Sequence, residues 1–83
     1  MEGFYVYAIV SKDDEIIYVG IAKDVEKRLS EHNLGKSRYT SGHMPWKIFY
    51  IEFVGSSKDA RAREKYFKTA SGKKKLRKIL LSK

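Results

Sequence analysis

The sequence lacks cysteine, has a single proline and contains no apolar run near the ~20 residues that a membrane span needs. Without cysteine, disulfide bonds, thiolate zinc sites and cysteine nucleophiles are excluded, and a reducing cytoplasmic location is expected. No membrane partner is predicted. The 83 residues, 42% hydrophobic and 34% charged, have the composition of a soluble globular protein. A chain of this length is expected to form a single domain over residues 1–83.

Acidic residues are absent from residues 65–83, although ten occur in residues 1–64. Those ten acids are balanced by ten bases, so the net charge of +8 comes from the C-terminal segment. A block of one sign attracts polyanions and neutralises phosphates. Charge alone therefore favours a nucleic acid partner, ahead of a face that only maintains solubility and, last, an acidic membrane surface. The bases expected to contact nucleic acid are Lys36, Arg38, Lys47, Lys73, Lys74, Lys75 and Arg77.

Three segments predict β-strands. Residues 4–10 are aromatic and β-branched on both alternating faces, which suits a strand covered on two sides. Residues 11–15 have turn chemistry, and residues 16–21 then form the return strand of a hairpin. A third strand is predicted over residues 46–53.

Three helices are predicted between and after the strands. Asp24 is expected to cap a helix that runs to about Asn33, and Ser56 a second that runs to about Thr69. Ser71 is expected to cap a third. This third helix should turn three side chains inward, namely Leu76, Ile79 and Leu80. The order β-β-α-β-α-α predicts an α+β fold, a small three-stranded antiparallel sheet flanked by helices.

Two polar side chains of the first predicted helix share a face with its apolar residues. At 100° per residue, His32 falls about 20° from Val25, and Arg28 about 60° from it. An inward histidine is most often a hydrogen-bonded core residue. An inward arginine is harder to explain without function, because arginine is almost never buried unpaired.

Glu64 interrupts the apolar row of the second predicted helix, between Ala60 and Phe67. Burying a carboxylate costs several kcal/mol unless it is paired, neutralised or bound to a cation. The structural explanation is an ion pair with Arg28 or Arg63. The functional explanation is a metal ligand or an acid–base group.

The predicted hairpin brings tyrosines together on one face. A loop over residues 12–15 places Tyr7 opposite Gly20 and makes Tyr18 a diagonal neighbour, ~7–8 Å away. Gly20 has no side chain, which leaves room beside Tyr7 for a ligand. Tyr5 lies on the same face. Tyrosines in strands are nevertheless most often packing residues.

Together these residues resemble the GIY-YIG nuclease superfamily, in particular its small stand-alone bacterial members, which are related to the N-terminal catalytic domain of a DNA-repair excinuclease. The resemblance covers residues 4–68. Gly3-Phe4-Tyr5 is an alternative alignment of the family's first motif. Tyr5 is therefore a candidate for the reactive phenol as well as Tyr7. The segments that carry the resemblance are Tyr5-Val6-Tyr7, Tyr18-Val19-Gly20, Arg28, Glu31-His32-Asn33, Pro45-Trp46-Lys47 and the stretch Ala60 to Lys65 around Glu64.

The resemblance implies an endonuclease that hydrolyses DNA phosphodiester bonds with a divalent metal, in repair or recombination. DNA is favoured over RNA, and a protein partner would supply specificity. Tyr7 would be the general base for the attacking water, and Tyr18 would position that water. Arg28 would contact the scissile phosphate, and His32 would assist proton transfer or orient a tyrosine. Glu64 would hold one cation, Mg²⁺ or alternatively Mn²⁺.

Two functions of other classes remain open at this stage. One is a non-catalytic nucleic-acid-binding module with a vestigial site, in which Tyr39 or Trp46 stacks on exposed bases. The other is an interaction domain whose basic C-terminal helix docks on an acidic protein. The basic segment and the compact fold are common to all three, so only the tyrosines, Arg28, His32 and Glu64 favour an enzyme.

Overall fold

The structure is a computed structural model that describes residues 3–13 and 15–82. Within this part of the chain, the order of elements confirms the predicted β-β-α-β-α-α arrangement. The elements are β1 (Phe4–Ser11), β2 (Ile17–Ala22), α1 (Val25–Asn33), β3 (Trp46–Gly55), α2 (Ser57–Phe67) and α3 (Ala70–Leu81). Asp14 of the predicted turn and Lys83 of the basic segment lie outside the described residues.

β1 is the central strand of an antiparallel sheet in the order β2-β1-β3. It takes this place because it is apolar on both faces, and its residues 6–9 are at most 1% exposed. The hairpin register is the predicted one, with Tyr7 opposite Gly20 and Ile9 opposite Tyr18. Side chains alternate along a strand, so this register fixes which residues of β2 share a face with Tyr7.

The two faces of the sheet carry separate apolar clusters. On the face that we call the front, α1 contributes Val25 to a buried cluster with Tyr7, Ile9 and Trp46. On the back, α2 and α3 pack over a cluster that includes Val6, Ala8, Val19, Phe49, Ala60, Phe67 and Leu76. Ile79 and Leu80 pack against this back cluster, as predicted. No helix in the described ranges has both the length and the apolar character that crossing a membrane requires.

Side-chain caps start all three helices. Asp24 and Ser56 act as predicted, each accepting a backbone N–H at 3.1 Å. For α3 the prediction was wrong, since the cap is Thr69 rather than Ser71 and accepts from the Gly72 N–H at 3.2 Å. The helix starts earlier because the buried Gly72 lets its first turn press against the end of α2.

The connecting segment, residues 34–45, links α1 to β3 and contains a 3-10 turn over Thr40–His43. The side chain of Asn33 binds the backbone of Trp46, where this segment meets β3. Asn33 Oδ1 accepts from the Trp46 N–H at 2.6 Å, and Nδ2 donates to the Trp46 carbonyl at 3.1 Å. The Trp46 indole N–H donates to the Thr40 carbonyl at 2.9 Å. The segment is thereby fixed over the front face.

Gly72→Ala is expected to destabilise the protein by about 3 kcal/mol. An added Cβ would lie 2.1 Å from the Tyr66 carbonyl oxygen and 2.5 Å from Phe67 Cα, so α3 would have to move off α2. Urea denaturation measures the change. Gly42→Ala is the matched control, because its Cβ meets no heavy atom within 4 Å. A Gly72→Ala protein as stable as the control would contradict this close helix contact.

Candidate active site

Three buried polar side chains form a hydrogen-bonded chain on the front face. The Tyr7 hydroxyl lies 2.9 Å from His32 Nε2, and His32 Nδ1 lies 2.7 Å from the Thr40 hydroxyl. The side chains come from β1, α1 and the 3-10 turn, and each residue is at most 1% exposed. The inward position that helical spacing predicts for His32 is confirmed.

Gly20 allows the Tyr7 ring to reach His32. A Cβ on Gly20 would lie 2.6 Å from the Tyr7 hydroxyl oxygen, so the phenol itself fills the space that was predicted to remain open for a ligand. That prediction was wrong, because the ring lies across the glycine. Tyr5 packs edge-on against Phe53, with ring centroids 5.1 Å apart. The structure therefore brings Tyr7, and not Tyr5, to His32.

The environment of Tyr7 keeps its phenol protonated at neutral pH. Burial raises the pKa of Tyr7 to about 12, with smaller contributions from Tyr18 and the Glu64 charge, while Arg28 opposes the rise. A protonated phenol donates its hydrogen bond, and His32 Nε2 is the acceptor in range. Tyr18, Arg28 and Glu64 thus all influence the pKa of this phenol.

His32 is neutral at neutral pH. Burial lowers the pKa of His32 below its ordinary value of 6.5, and the positive charge of Arg28 lowers it further, against a small opposing effect of Glu31. A neutral imidazole has one unprotonated ring nitrogen. His32 Nε2 can therefore accept the hydrogen bond that Tyr7 donates.

Arg28 lies at the rim of the site rather than in the core. Its side chain is 37% exposed, and Nη1 donates to Glu31 Oε1 at 2.8 Å. Glu31 lies three residues after Arg28, a spacing at which long side chains of a helix can meet. The hydrogen bond from Arg28 lowers the pKa of Glu31. The guanidinium retains further N–H donors for an anion.

Glu64 is partly buried, with its side chain 22% exposed, and pairs with Lys68 at 3.3 Å. The structural explanation considered for Glu64, an ion pair with Arg28 or Arg63, is therefore wrong in its partner. Lys68 is one helical turn further along α2, the spacing at which such pairs meet. Arg63 instead makes two hydrogen bonds to Glu52 of β3, at 2.8 and 2.9 Å.

Tyr18 connects the buried cluster to the surface. Its ring lies edge-on to the His32 ring at 5.1 Å and stacks on Tyr39 at 6.0 Å, between ring centroids. Tyr39 belongs to the connecting segment and is exposed. One short segment therefore contacts both His32, through Thr40, and Tyr18, through Tyr39.

An open groove of about 690 Å³ runs along the free edge of β2, and we call it the β2-edge groove. Its lining includes Tyr18, Tyr39, Lys68, Lys73 and Arg77. Of the bases predicted to contact nucleic acid, it brings together Lys73 and Arg77. The others are exposed outside the groove lining, namely Lys36, Arg38, Lys47, Lys74 and Lys75.

Glu64 offers a single carboxylate, so a hard divalent cation held there would need waters and substrate oxygens as its other ligands. Among residues 3–13 and 15–82, no group of three or more histidine and acidic side chains could hold a metal ion. Mg²⁺ and Mn²⁺ can bind with few protein ligands, since Mg²⁺ retains waters and uses one or two carboxylates with phosphate oxygens. The Lys68 ammonium on Glu64 is 53% exposed and can move into solvent.

Two residues of this site are absent from the sequence predictions. Lys68 could have been found, because it lies four residues after Glu64 on a predicted helix. Thr40 could not, because it lies in an irregular segment where no periodicity relates it to His32.

The order of elements, with the tyrosine, histidine and arginine side chains of the front face and the glutamate of α2, is that of a GIY-YIG domain. The profile of the GIY-YIG catalytic domain matches residues 3–77, and the chain belongs to this nuclease family. A UPF0213 protein of Staphylococcus saprophyticus is 39% identical over 80 residues, which cover 95% of this chain and 96% of the relative. A UPF0213 protein of Clostridium perfringens is 40% identical over 76 residues, covering 90% of this chain and 81% of the relative. No solved structure gave a significant match.

Mild acid is expected to destabilise the protein through His32. The unfolded chain binds a proton at the ordinary histidine pKa of 6.5 and the folded chain only at lower pH, so the free energy of unfolding falls as pH drops below about 6.5. The slope should reach at most about 1.4 kcal/mol per pH unit. Urea denaturation from pH 7.5 to 5 measures it, and His32→Asn should remove this part of the slope. Equal slopes in the two proteins would contradict the buried neutral imidazole.

Proposed function

We propose that this chain is a divalent-metal-dependent endonuclease that hydrolyses phosphodiester bonds in DNA. The observation that carries the proposal is the buried hydrogen bond of 2.9 Å between the Tyr7 hydroxyl and His32 Nε2. It pairs a protonated phenol with a neutral imidazole, which are the donor and the acceptor that a transfer of the phenol proton requires. Arg28 and Glu64 lie within electrostatic reach of that phenol.

The reaction begins when Tyr7 passes its hydroxyl proton to His32 Nε2. The resulting phenolate oxygen removes a proton from a water molecule as the water oxygen forms a bond to phosphorus. The bond between phosphorus and the leaving sugar oxygen breaks, and this oxygen takes a proton from solvent. His32 then releases the proton it received to solvent, which returns Tyr7 and His32 to their starting states. Tyr18, in ring contact with His32, would help to position the water. Proton transfer of this kind contributes about 10²- to 10⁴-fold to a rate.

Arg28 and Glu64 supply the electrostatic part of the proposal. The half-exposed side chain of Arg28 carries planar N–H donors that match phosphate oxygens. Glu64 would hold the divalent cation, Mg²⁺ or Mn²⁺, whose charge favours the ionised phenol and the charge that develops on the phosphate. The Lys68 ammonium would leave the Glu64 carboxylate when that cation binds.

The basic surface is proposed to hold the DNA backbone. Lys73 and Arg77 line the β2-edge groove, which reaches Tyr18 and so leads to the site. The remaining exposed bases extend this surface, namely Lys36, Arg38, Lys47, Lys74 and Lys75. DNA is favoured over RNA, a protein partner would select the target, and the role would be in cytoplasmic DNA repair or recombination.

Replacing Lys73 and Arg77 together by alanine is expected to weaken DNA binding and lower its salt dependence. Each lost phosphate contact should reduce the slope of log K against log [salt] by about 1. Fluorescence anisotropy with a labelled oligonucleotide between 50 and 200 mM salt measures both effects. Lys27→Ala is the matched control, an exposed base of α1 outside the groove lining. An unchanged slope in the double variant would show that the groove is not part of the DNA-binding surface.

Turnover is the test of the proposed function. Labelled plasmid, branched DNA and RNA of matched sequence are incubated with the protein in Mg²⁺, in Mn²⁺ and in EDTA. We expect cleavage of DNA in the metal arms and none in EDTA. Tight, salt-dependent binding without cleavage of any substrate would support a non-catalytic nucleic-acid-binding module and contradict the proposal.

A further inference from the structure

Thr40 has a contact that the proposed reaction does not use. Thr40 is fully buried, and its hydroxyl oxygen lies 2.7 Å from His32 Nδ1, on the side of the ring opposite Tyr7. The Thr40 carbonyl is held by the indole N–H of Trp46 at 2.9 Å. The Trp46 backbone is in turn held by Asn33, the last residue of α1, so Thr40 is fixed from the same helix that carries His32.

The hydrogen bonds of the cluster select one tautomer of His32. The buried Tyr7 phenol is protonated and needs an acceptor, which only an unprotonated Nε2 can provide within this chain of contacts. The neutral ring then carries its hydrogen on Nδ1, and this N–H donates to the Thr40 hydroxyl oxygen. In the other tautomer, Nε2 carries the hydrogen and points it at the Tyr7 oxygen. The buried Tyr7 hydroxyl would then lose His32 Nε2 as the acceptor of its own hydrogen bond, which costs stability.

We propose that Thr40 is a positioning residue that holds His32 in the Nδ1–H tautomer and so keeps Nε2 free to take the Tyr7 proton. Thr40 acts only through His32. In histidines generally, the hydrogen bond made by one ring nitrogen determines which of the two nitrogens is protonated. The catalytic consequence rests on the proposed nuclease function, whereas the tautomer itself does not.

The connecting segment gives this role a structural basis. Thr40 reaches His32 from the 3-10 turn, and its neighbour Tyr39 stacks on Tyr18, so one rigidly held turn orients two groups of the site. A turn that served only to join α1 to β3 would not need a buried hydroxyl on an imidazole nitrogen. A valine in place of Thr40 would fill nearly the same volume and remove only the hydroxyl.

The first experiment measures the tautomer directly. Long-range ¹H–¹⁵N correlation spectra of the ¹⁵N-labelled protein at pH 8 report which ring nitrogen of His32 carries hydrogen. The chain has two histidines, and His32→Asn identifies the signals of His32. We expect Nδ1–H in the wild-type protein and in Thr40→Ser, with the Nε2–H form gaining population in Thr40→Val. An Nε2–H ring in the wild-type protein would overturn the proposal.

The second experiment measures catalysis in the same variants. Thr40→Val should lower kcat by about 10- to 100-fold and change KM by less than about 3-fold, because Thr40 is fully buried and acts through His32. Thr40→Ser should restore kcat to within about 3-fold of wild type. A loss of kcat in Thr40→Val with an unchanged tautomer, or no rescue by serine, would contradict the proposal. If Thr40→Val does not fold, the wild-type tautomer and the serine variant still decide it.

The two proposals fail in distinguishable ways. A wild-type protein that cleaves no nucleic acid with metal present contradicts the nuclease, yet leaves the tautomer result intact. A wild-type protein that cleaves DNA with an Nε2–H ring keeps the nuclease and removes the role of Thr40.

Discussion

Tyr7→Phe is expected to lower the rate of DNA cleavage by about 10²- to 10⁴-fold, with DNA affinity nearly unchanged. The change removes only the hydroxyl that donates to His32 Nε2 at 2.9 Å and leaves the ring in the front cluster. Loss of the buried hydrogen bond should also cost about 1–2 kcal/mol of stability. Single-turnover cleavage at a temperature well below unfolding, with circular dichroism as the check on folding, measures the effect on the reaction alone.

Tyr5→Phe is the matched control for that variant. Tyr5 lies on the same strand and face, and its ring packs against Phe53. We expect this variant to cleave DNA at a rate close to wild type. If Tyr5→Phe loses activity and Tyr7→Phe keeps it, the alternative alignment of the first motif is correct, and the proton transfer from Tyr7 to His32 has no part in the reaction.

Gly20→Ala is expected to reduce cleavage by at least about 10²-fold, although Gly20 itself carries no group that reacts. The new Cβ would lie 2.6 Å from the Tyr7 hydroxyl oxygen and 2.8 Å from Cζ, so the ring must shift away from His32 Nε2. The backbone of Gly20 is in an ordinary strand conformation, so alanine brings no backbone strain. Cleavage assays, with DNA affinity measured separately, test this prediction.

Gly42→Ala is the control for Gly20→Ala. Gly42 lies in the 3-10 turn beside the site, yet a Cβ there meets no heavy atom within 4 Å. We expect its rate to match wild type. Equal rates in Gly20→Ala and wild type would show that the position of the phenol over the glycine does not matter to the reaction.

The parts of the site that depend on a repeating backbone could be predicted from the sequence. The loop length of the hairpin sets its register, and the alternation of the strand then places Tyr7, Tyr18 and Gly20 on one face. The helical repeat likewise turns His32 towards the sheet. The GIY-YIG fold and family follow from these same residues and are confirmed.

The parts that depend on long side chains or on packing could not be predicted in this way. The periodicity of a helix places the Cβ of Arg28 and of Glu64, but their charged ends lie several bonds further out and pair with Glu31 and Lys68. Thr40 meets His32 across an irregular segment, so its contact has no sequence period. The start of α3 depends on how closely that helix packs on α2, which propensity does not encode.

The central claim is that Glu64 holds the cation required for DNA cleavage, and Glu64→Gln tests it most directly. Single-turnover cleavage is measured for the wild-type protein, for Glu64→Gln and for Glu26→Gln, an exposed acid of α1, across Mg²⁺ concentrations and in EDTA. We predict cleavage by the wild-type protein and by Glu26→Gln that requires Mg²⁺, and a loss of at least about 10²-fold in Glu64→Gln. A Glu64→Gln protein that cleaves DNA at the wild-type rate, or a wild-type protein equally active in EDTA, would contradict the account.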